Sequence, residues 1–389
     1  MLQTLKKFDG NIKFVDGYKV ITIPAEAQKE EEKALLLEGE QITIIPINKD
    51  LKKIYLEVTN DCNFDCITCI RHSWKEEMGY ISDAAIEALL NSLSDFSQLK
   101  TVHIGGFGEP LSHPNILSII EKFKNKGLRV EMITNGSLLS QNMIKDLITL
   151  GLDAIYVSID GSDAKNYNEI RKGGNYNQII NNIQELNRQS GNSYPLKPEL
   201  GVEFVAMKSN YKDLPNLMRL ADYLKARKVL ITNVLPYHES MIKEVLYDLE
   251  YKNSLFDSKS CHSYMANMKL NTYRNCKFVE DNSVSITWQG EVAPCYALMH
   301  SYKCYIYERE KTVSSHSFGN INKEKLLDIW QSPQYVNFRY RVKEKKIPSC
   351  TDCQWLDGCS YTQDNEADCW GNEPSCADCL WYREMIICP

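Results

Sequence analysis

Between residues 53 and 234, six short β-branched or apolar runs alternate with five amphipathic stretches of helical length, and this alternation permits few folds. The runs fall at 53–58, 101–105, 129–134, 154–159, 201–206 and 229–234, and the helical stretches at 83–93, 115–126, 140–150, 176–188 and 214–227. Repeated βα units build a parallel sheet, so an α/β fold is expected. Six units predict a partial (β/α)6 barrel whose ligands gather at the C-terminal ends of the strands. A small β-rich segment precedes it, with alternating stretches at 11–15, 18–23 and 41–45 separated by Asp16-Gly17 and by a charged stretch at 28–33. Beyond Leu235 the periodicity weakens and Cys, Tyr, Trp, Asn and Gly become frequent, which places a boundary near Val245 and predicts segments 1–50, 51–245 and 246–389.

The chain holds 14 cysteines: Cys62, Cys66 and Cys69, none up to Cys261, then eleven from Cys261 to Cys388. Residues 1–10 carry two lysines followed by Phe8 and Asp9 rather than an apolar leader, and no apolar run approaches membrane-spanning length. A cytoplasmic protein without a membrane partner is expected, and its reducing surroundings favour metal ligation over disulfides. The net charge of -6 opposes general attraction to nucleic acid, so no nucleic-acid partner is expected.

The first run leads directly into Cys62, Cys66 and Cys69, a C-x3-C-x2-C spacing. Three thiolates can hold three irons of a four-iron four-sulfur cluster and leave the fourth iron open, whereas a structural zinc site wants four ligands and only His72 stands near enough to add one. The second run ends in Gly105-Gly106-Phe107-Gly108-Glu109-Pro110, the third in Thr134-Asn135-Gly136, and the fourth in Ser158-Ile159-Asp160-Gly161 with Arg171 beyond. Glycines at such a strand end let the backbone approach a ligand closely.

Taken in this order, the motifs resemble the radical S-adenosylmethionine (SAM) superfamily, which implies a TIM-like partial barrel and SAM chelated by the open iron. The resemblance implies that Gly105, Gly106, Gly108 and Glu109 form the segment binding the SAM amino group. It also implies that Ser158 and Arg171 hold the SAM carboxylate and that Asn135 lies near the ribose. Thr68 departs from the aromatic or bulky apolar residue usual before the third cysteine.

Cys276-x13-Gly290-x4-Cys295 and then Cys350-x2-Cys353-x5-Cys359 are similar to the SPASM auxiliary-cluster domain, which implies a cysteine-rich SPASM-like domain with one or two further four-iron four-sulfur clusters. Gln363 replaces the next expected cysteine. The family's arrangement puts Cys276 and Cys295 on a first auxiliary cluster and Cys350, Cys353 and Cys359 on a second. Cys261 and Cys369 are then candidates to complete the first and Cys376 or Cys379 the second, with Cys304 and Cys388 left over. The same spacings would also allow a zinc ribbon in a non-catalytic binding protein.

The ending from Asp368 to Cys388, with Cys69-Ile70-Arg71 and Ser73-Trp74, resembles the SPASM-type maturases associated with tungsten-containing aldehyde ferredoxin oxidoreductases. That resemblance implies a protein, peptide or pterin-type cofactor as substrate and reduced ferredoxin or flavodoxin as electron donor. Maturation of a tungsten oxidoreductase or its cofactor is the first expectation. Modification of a peptide or protein side chain, as in sulfatase maturation or thioether crosslinking, is the second. Glu203 and Lys208, near the end of the fifth run, and Tyr237 and His238, after the sixth, are candidate acid-base groups.

Overall fold

The computed structural model describes residues 50–191, 197–249 and 261–388, together with the backbone of four strands between residues 11 and 46. These four, β1 (Asn11–Val15), β2 (Tyr18–Ile23), β3 (Lys33–Glu38) and β4 (Gln41–Pro46), pair antiparallel in sequence order. Three were expected, and β3 is an addition. The Asp16-Gly17 turn, most of the charged stretch at 28–33, and residues 1–10 lie outside the described residues.

The main sheet is built from β5 (Lys53–Glu57), β6 (Thr101–Gly105), β7 (Arg129–Thr134), β8 (Ala154–Ser158), β9 (Glu199–Ala206) and β10 (Lys228–Asn233), all parallel and neighbouring in sequence order. Their side chains are buried on both faces, as in β8, where all five residues are buried, which explains why each strand reads as a continuous apolar run. The crossovers are α1 (Asp83–Ser92), α2 (Ile116–Asn125), α3 (Gln141–Thr149), α4 (Ala164–Ile170), α5 (Tyr176–Gln189) and α6 (Leu214–Tyr223). Ser82, Ser140, Asp163 and Asn175 each accept a backbone N–H and so cap the helices they precede. Leu, Ile and Phe on the inner faces of these helices, such as Ile119, Ile120 and Phe123 of α2, close over the sheet.

The sheet is wider than six strands. β11 (His262–Met265) adds in parallel to β10 at one edge, and β12 (Ser283–Ile286) adds in parallel to β5 at the other, followed by the antiparallel β13 (Val292–Ala293). Both parallel additions come from beyond residue 245. No pairing joins β11 to β12 or β13 among the described residues, so the barrel is open. A hairpin of β14 (Tyr302–Ile306) and β15 (Arg309–Val313) and a largely irregular cysteine-rich stretch follow. No described helix is long and apolar enough to cross a membrane.

Candidate active site

The C-terminal ends of β5 to β10 surround a cavity of about 240 Å³. Cys62, Cys66 and Cys69 line it from the loop after β5, Gly106, Gly108 and Glu109 from the loop after β6, Asn135 from that after β7, and Ser158, Arg171, Glu203 and Thr232 from the strands and turns beyond. Gly105 is buried behind this wall, where a Cβ would meet Ile133 and the Tyr296 hydroxyl, both at 2.9 Å. Thr68, the departure noted above, faces the cavity as well.

The cysteine loop is anchored on every side. Asp65 and Ile67 donate backbone N–H groups to the carbonyls of Lys172 and Ile170, Tyr237 donates its hydroxyl to the Ile67 carbonyl at 2.6 Å, and Asn60 reaches the Glu77 carbonyl at 3.0 Å. Gly108 packs directly under the loop: a Cβ there would lie 2.3 Å from Thr59 O and 2.5 Å from Asp61 O. Arg71 donates from Nε to Cys69 Sγ at 3.2 Å and from Nη2 to the Phe64 carbonyl at 2.7 Å, placing a fixed positive charge beside the thiols. Burial pushes the Cys66 thiol up to about 11, with the Arg171 charge opposing, so a bound electrophile is needed to hold it as thiolate.

Glu109 is spent within the chain. Its carboxylate accepts from Thr134 Oγ1 and from the N–H groups of Asn135 and Leu111, which fixes the turn that presents Asn135. Arg171 is fixed through Nε to the fully buried Asp160 at 2.8 Å. Of the four candidate acid-base groups, only Glu203 lines the cavity, and burial pushes its carboxyl up to about 7 against the pull of Arg171. Lys208 and His238 are on the surface or its edge, and Tyr237 is tied to the cysteine loop.

The later cysteines form two groups, divided differently from the expectation. Cys276, Cys295, Cys376 and Cys379 lie close enough for their charges to act on one another, with Cys304 beside Cys379. Cys350, Cys353, Cys359 and Cys369 form the second group. Cys369 is thus placed with Cys350, and Cys376 and Cys379 with Cys276, the reverse of the completion suggested under the family's arrangement. Cys261 joins neither: it precedes β11 at the N-terminal end of the sheet, near Asp222.

Among the described residues no three Cys, His, Asp or Glu side chains converge on a site for a single metal ion. His72, the one residue that could have completed a zinc site with the first three cysteines, is committed through Nε2 to the Cys66 carbonyl at 3.1 Å and stacks on Tyr237. The three thiols border a cavity instead, and a three-thiol donor set beside Arg71 suits a cluster that leaves one iron for an outside ligand.

The model of the radical SAM superfamily matches residues 56–228, and that of the SPASM iron-sulfur cluster-binding domain matches residues 276–354. The chain is 36% identical over 350 residues to the tungsten-containing aldehyde ferredoxin oxidoreductase cofactor-modifying protein of Pyrococcus furiosus, an alignment covering 87% of this chain and 97% of that one. The chain belongs to the radical SAM superfamily. It is an enzyme of that family with a SPASM domain, and reductive cleavage of SAM is the family's general reaction. Among solved structures it is similar in fold to Streptococcus suis SuiB bound to its precursor peptide SuiA (TM-score 0.57, 16% identity, 81% of this chain and 72% of that one). It is similarly related to native anSMEcpe with bound AdoMet (TM-score 0.53, 16% identity, 86% and 96%).

Sequence reasoning did not single out Arg71 as a thiol partner, nor His300 and Cys388, which the fold brings to the cysteine loop's support and to the cavity. The Cys69-x-Arg71 spacing was a usable signal for the first. His300 reaches Glu76 and Glu57 across more than 200 residues of chain and the Cys388 segment reaches Thr232 across 155, so neither carries a local signal.

Proposed function

We propose that this radical SAM enzyme matures a tungsten-containing oxidoreductase, acting on its pterin-type cofactor or on the protein that carries it. The relationship to the P. furiosus cofactor-modifying protein carries this reading, because it spans 87% of this chain and nearly the whole of that relative. Residues 51–245 are read as the SAM-cleaving segment and 246–389 as the auxiliary one, with 1–50 a separate small sheet.

In this reading Cys62, Cys66 and Cys69 hold a four-iron four-sulfur cluster, which when bound supplies the electron that splits SAM into methionine and a 5'-deoxyadenosyl radical. The chain's own residues orient the other participants. The backbone at Gly106 and Gly108 receives the SAM amino group, while Ser158 and Arg171 receive its carboxylate; Asp160 holds the guanidinium so that it does not reorganise as SAM enters. Asn135, held by Glu109 and by its own bond to Asn63 at 2.9 Å, stands where the ribose would lie. Glu203 is the group in the cavity able to exchange a proton near neutral pH. Cys276, Cys295, Cys376 and Cys379 are read as one auxiliary cluster site and Cys350, Cys353, Cys359 and Cys369 as a second, with reduced ferredoxin or flavodoxin as the electron donor.

Anaerobic reconstitution should give a brown protein with roughly 8 to 12 irons per chain. With dithionite and SAM it should form 5'-deoxyadenosine, and absence of that product would remove the enzymatic reading of this cavity. The maturation reading is tested by coexpressing a tungsten oxidoreductase with and without this enzyme and measuring its activity and cofactor content. An oxidoreductase that is fully active without it would overturn the reading.

A further inference from the structure

The segment around residues 385–388 carries a cysteine into the candidate active site. Asn233 donates its N–H to the Met385 carbonyl at 3.2 Å, and Ile387 donates its N–H to Thr232 Oγ1 at 3.0 Å. The segment therefore lies against the C-terminal end of β10, and Ile386, Ile387 and Cys388 become part of the cavity wall. Cys388 belongs to neither auxiliary group. The groups acting on it are Trp381, Glu203 and Lys53, and it acts in turn on Tyr55 and Tyr296. It thus faces the cavity from the barrel interior, apart from the cysteine loop.

Two other side chains mark the same place. Trp381 is 8% exposed, lies against the Cys388 sulfur, and has an indole N–H with no well-formed hydrogen bond. Glu203 lines the cavity beside the thiol and receives one long bond from Ser158 Oγ at 3.4 Å. Trp381 also lines the neighbouring cavity bordered by Cys295, Cys376 and Cys379, so one side chain borders both the Cys388 cavity and that of an auxiliary group.

We propose that the Cys388 thiol is a catalytic hydrogen-atom donor to carbon radicals formed in this cavity. The proposal rests on the reading that the cavity generates the 5'-deoxyadenosyl radical. An S–H bond is weaker than an alkyl C–H bond, so a thiol surrenders its hydrogen to a carbon radical where hydroxyl and amide groups do not. In the step, the C–H bond forms, the S–H bond breaks, and Cys388 is left as a thiyl radical. One electron from the low-potential iron-sulfur donor that drives SAM cleavage and one proton from solvent, relayed through Glu203, restore the thiol. Each turnover then consumes two electrons and one proton, and the substrate leaves with its hydrogen replaced. The reaction class is therefore bond cleavage, addition or rearrangement without net oxidation of the substrate. Burial pushes the Cys388 thiol up to about 12, with Trp381 opposing and Glu203 adding, so it carries its hydrogen at neutral pH.

The test uses the reconstituted full chain with SAM and dithionite in D2O and no added substrate. The 5'-deoxyadenosyl radical is then the carbon radical to be quenched, and the S–D bond of Cys388 places one deuterium on its 5' carbon. Mass spectrometry reads the deuterated fraction per molecule of 5'-deoxyadenosine formed, a quantity independent of the cleavage rate. Cys388→Ser and Cys388→Ala should each lower that fraction at least fivefold relative to the unsubstituted chain. The serine variant differs by a single atom and decides the matter if the alanine variant fails to load iron. An equal fraction in the variants, or no deuterium in the unsubstituted chain, overturns the proposal alone. Failure of the unsubstituted chain to form any 5'-deoxyadenosine overturns the underlying reading and the proposal with it.

Discussion

His300 places its Nε2 2.9 Å from Glu57 Oε2, with both side chains almost wholly buried. Its Nδ1 is 2.6 Å from Glu76 Oε2, so one imidazole ties the end of β5 and the stretch beyond the cysteine loop to the auxiliary region. Burial disfavours the charged imidazole, but Glu57 and then Glu76 outweigh it and push His300 up to about 9. A group raised in the folded state adds stability that is complete below its ordinary value near 6.5 and is lost as pH climbs through 9. The stability difference between the unsubstituted chain and His300→Gln should therefore be largest at pH 6, about 3 kcal/mol, and should shrink toward pH 9.5. Urea titrations of the metal-free protein across that range check this.

Gly108→Ala should damage the first cluster site without touching a ligand. The added Cβ meets the backbone oxygens of Thr59 and Asp61, which cannot move without shifting the loop that carries all three thiols. Iron bound at this site should fall, and 5'-deoxyadenosine formation should drop by about 100-fold or more, the usual consequence of a reacting group displaced by about 1 Å. Iron analysis beside product quantification tests both parts.

Arg71→Met should leave the three thiols in place while removing the charge against Cys69. A positive charge near a cluster favours its reduced form, so the variant's reduction potential should become more negative by tens of millivolts. Potentiometric titration followed by electron paramagnetic resonance would show it. An unchanged potential would mean that the Arg71 bond to the Phe64 carbonyl is what matters.

The regrouping of the auxiliary cysteines predicts a pattern of non-additivity. Cys369→Ser and Cys350→Ser should remove the same irons, so the double variant should lose no more than either single one; Cys369→Ser with Cys276→Ser should lose two sets. Iron counts and Mössbauer spectra of reconstituted variants would separate the two cases.

The six central strands were legible to within two residues at each end because strands buried on both faces read as plain apolar runs. β11 and β12 were not, for different physical reasons. β11 alternates in exposure over only four residues, too few for periodicity to register, and β12 is a four-residue Ser-Val-Ser-Ile segment that owes its place to pairing with β5, more than 200 residues away. The glycine and strand-end residues around the cavity were found because a strand's end fixes where its next few residues point. The grouping of the later cysteines was not, because the chain from Cys350 to Cys388 is largely irregular, and spacing says little about which thiols meet when helices and strands do not set the path.

The two edge strands also bear on how this enzyme could be divided or recombined. Since β11 and β12 cover the outer sides of β10 and β5, a fragment cut near residue 245 would expose two strand edges and their unpaired amides. Such a fragment should aggregate rather than serve as a portable SAM-cleaving module, and chimaeras that graft this barrel onto another auxiliary region would need a crossover that keeps residues 262–286 with the barrel.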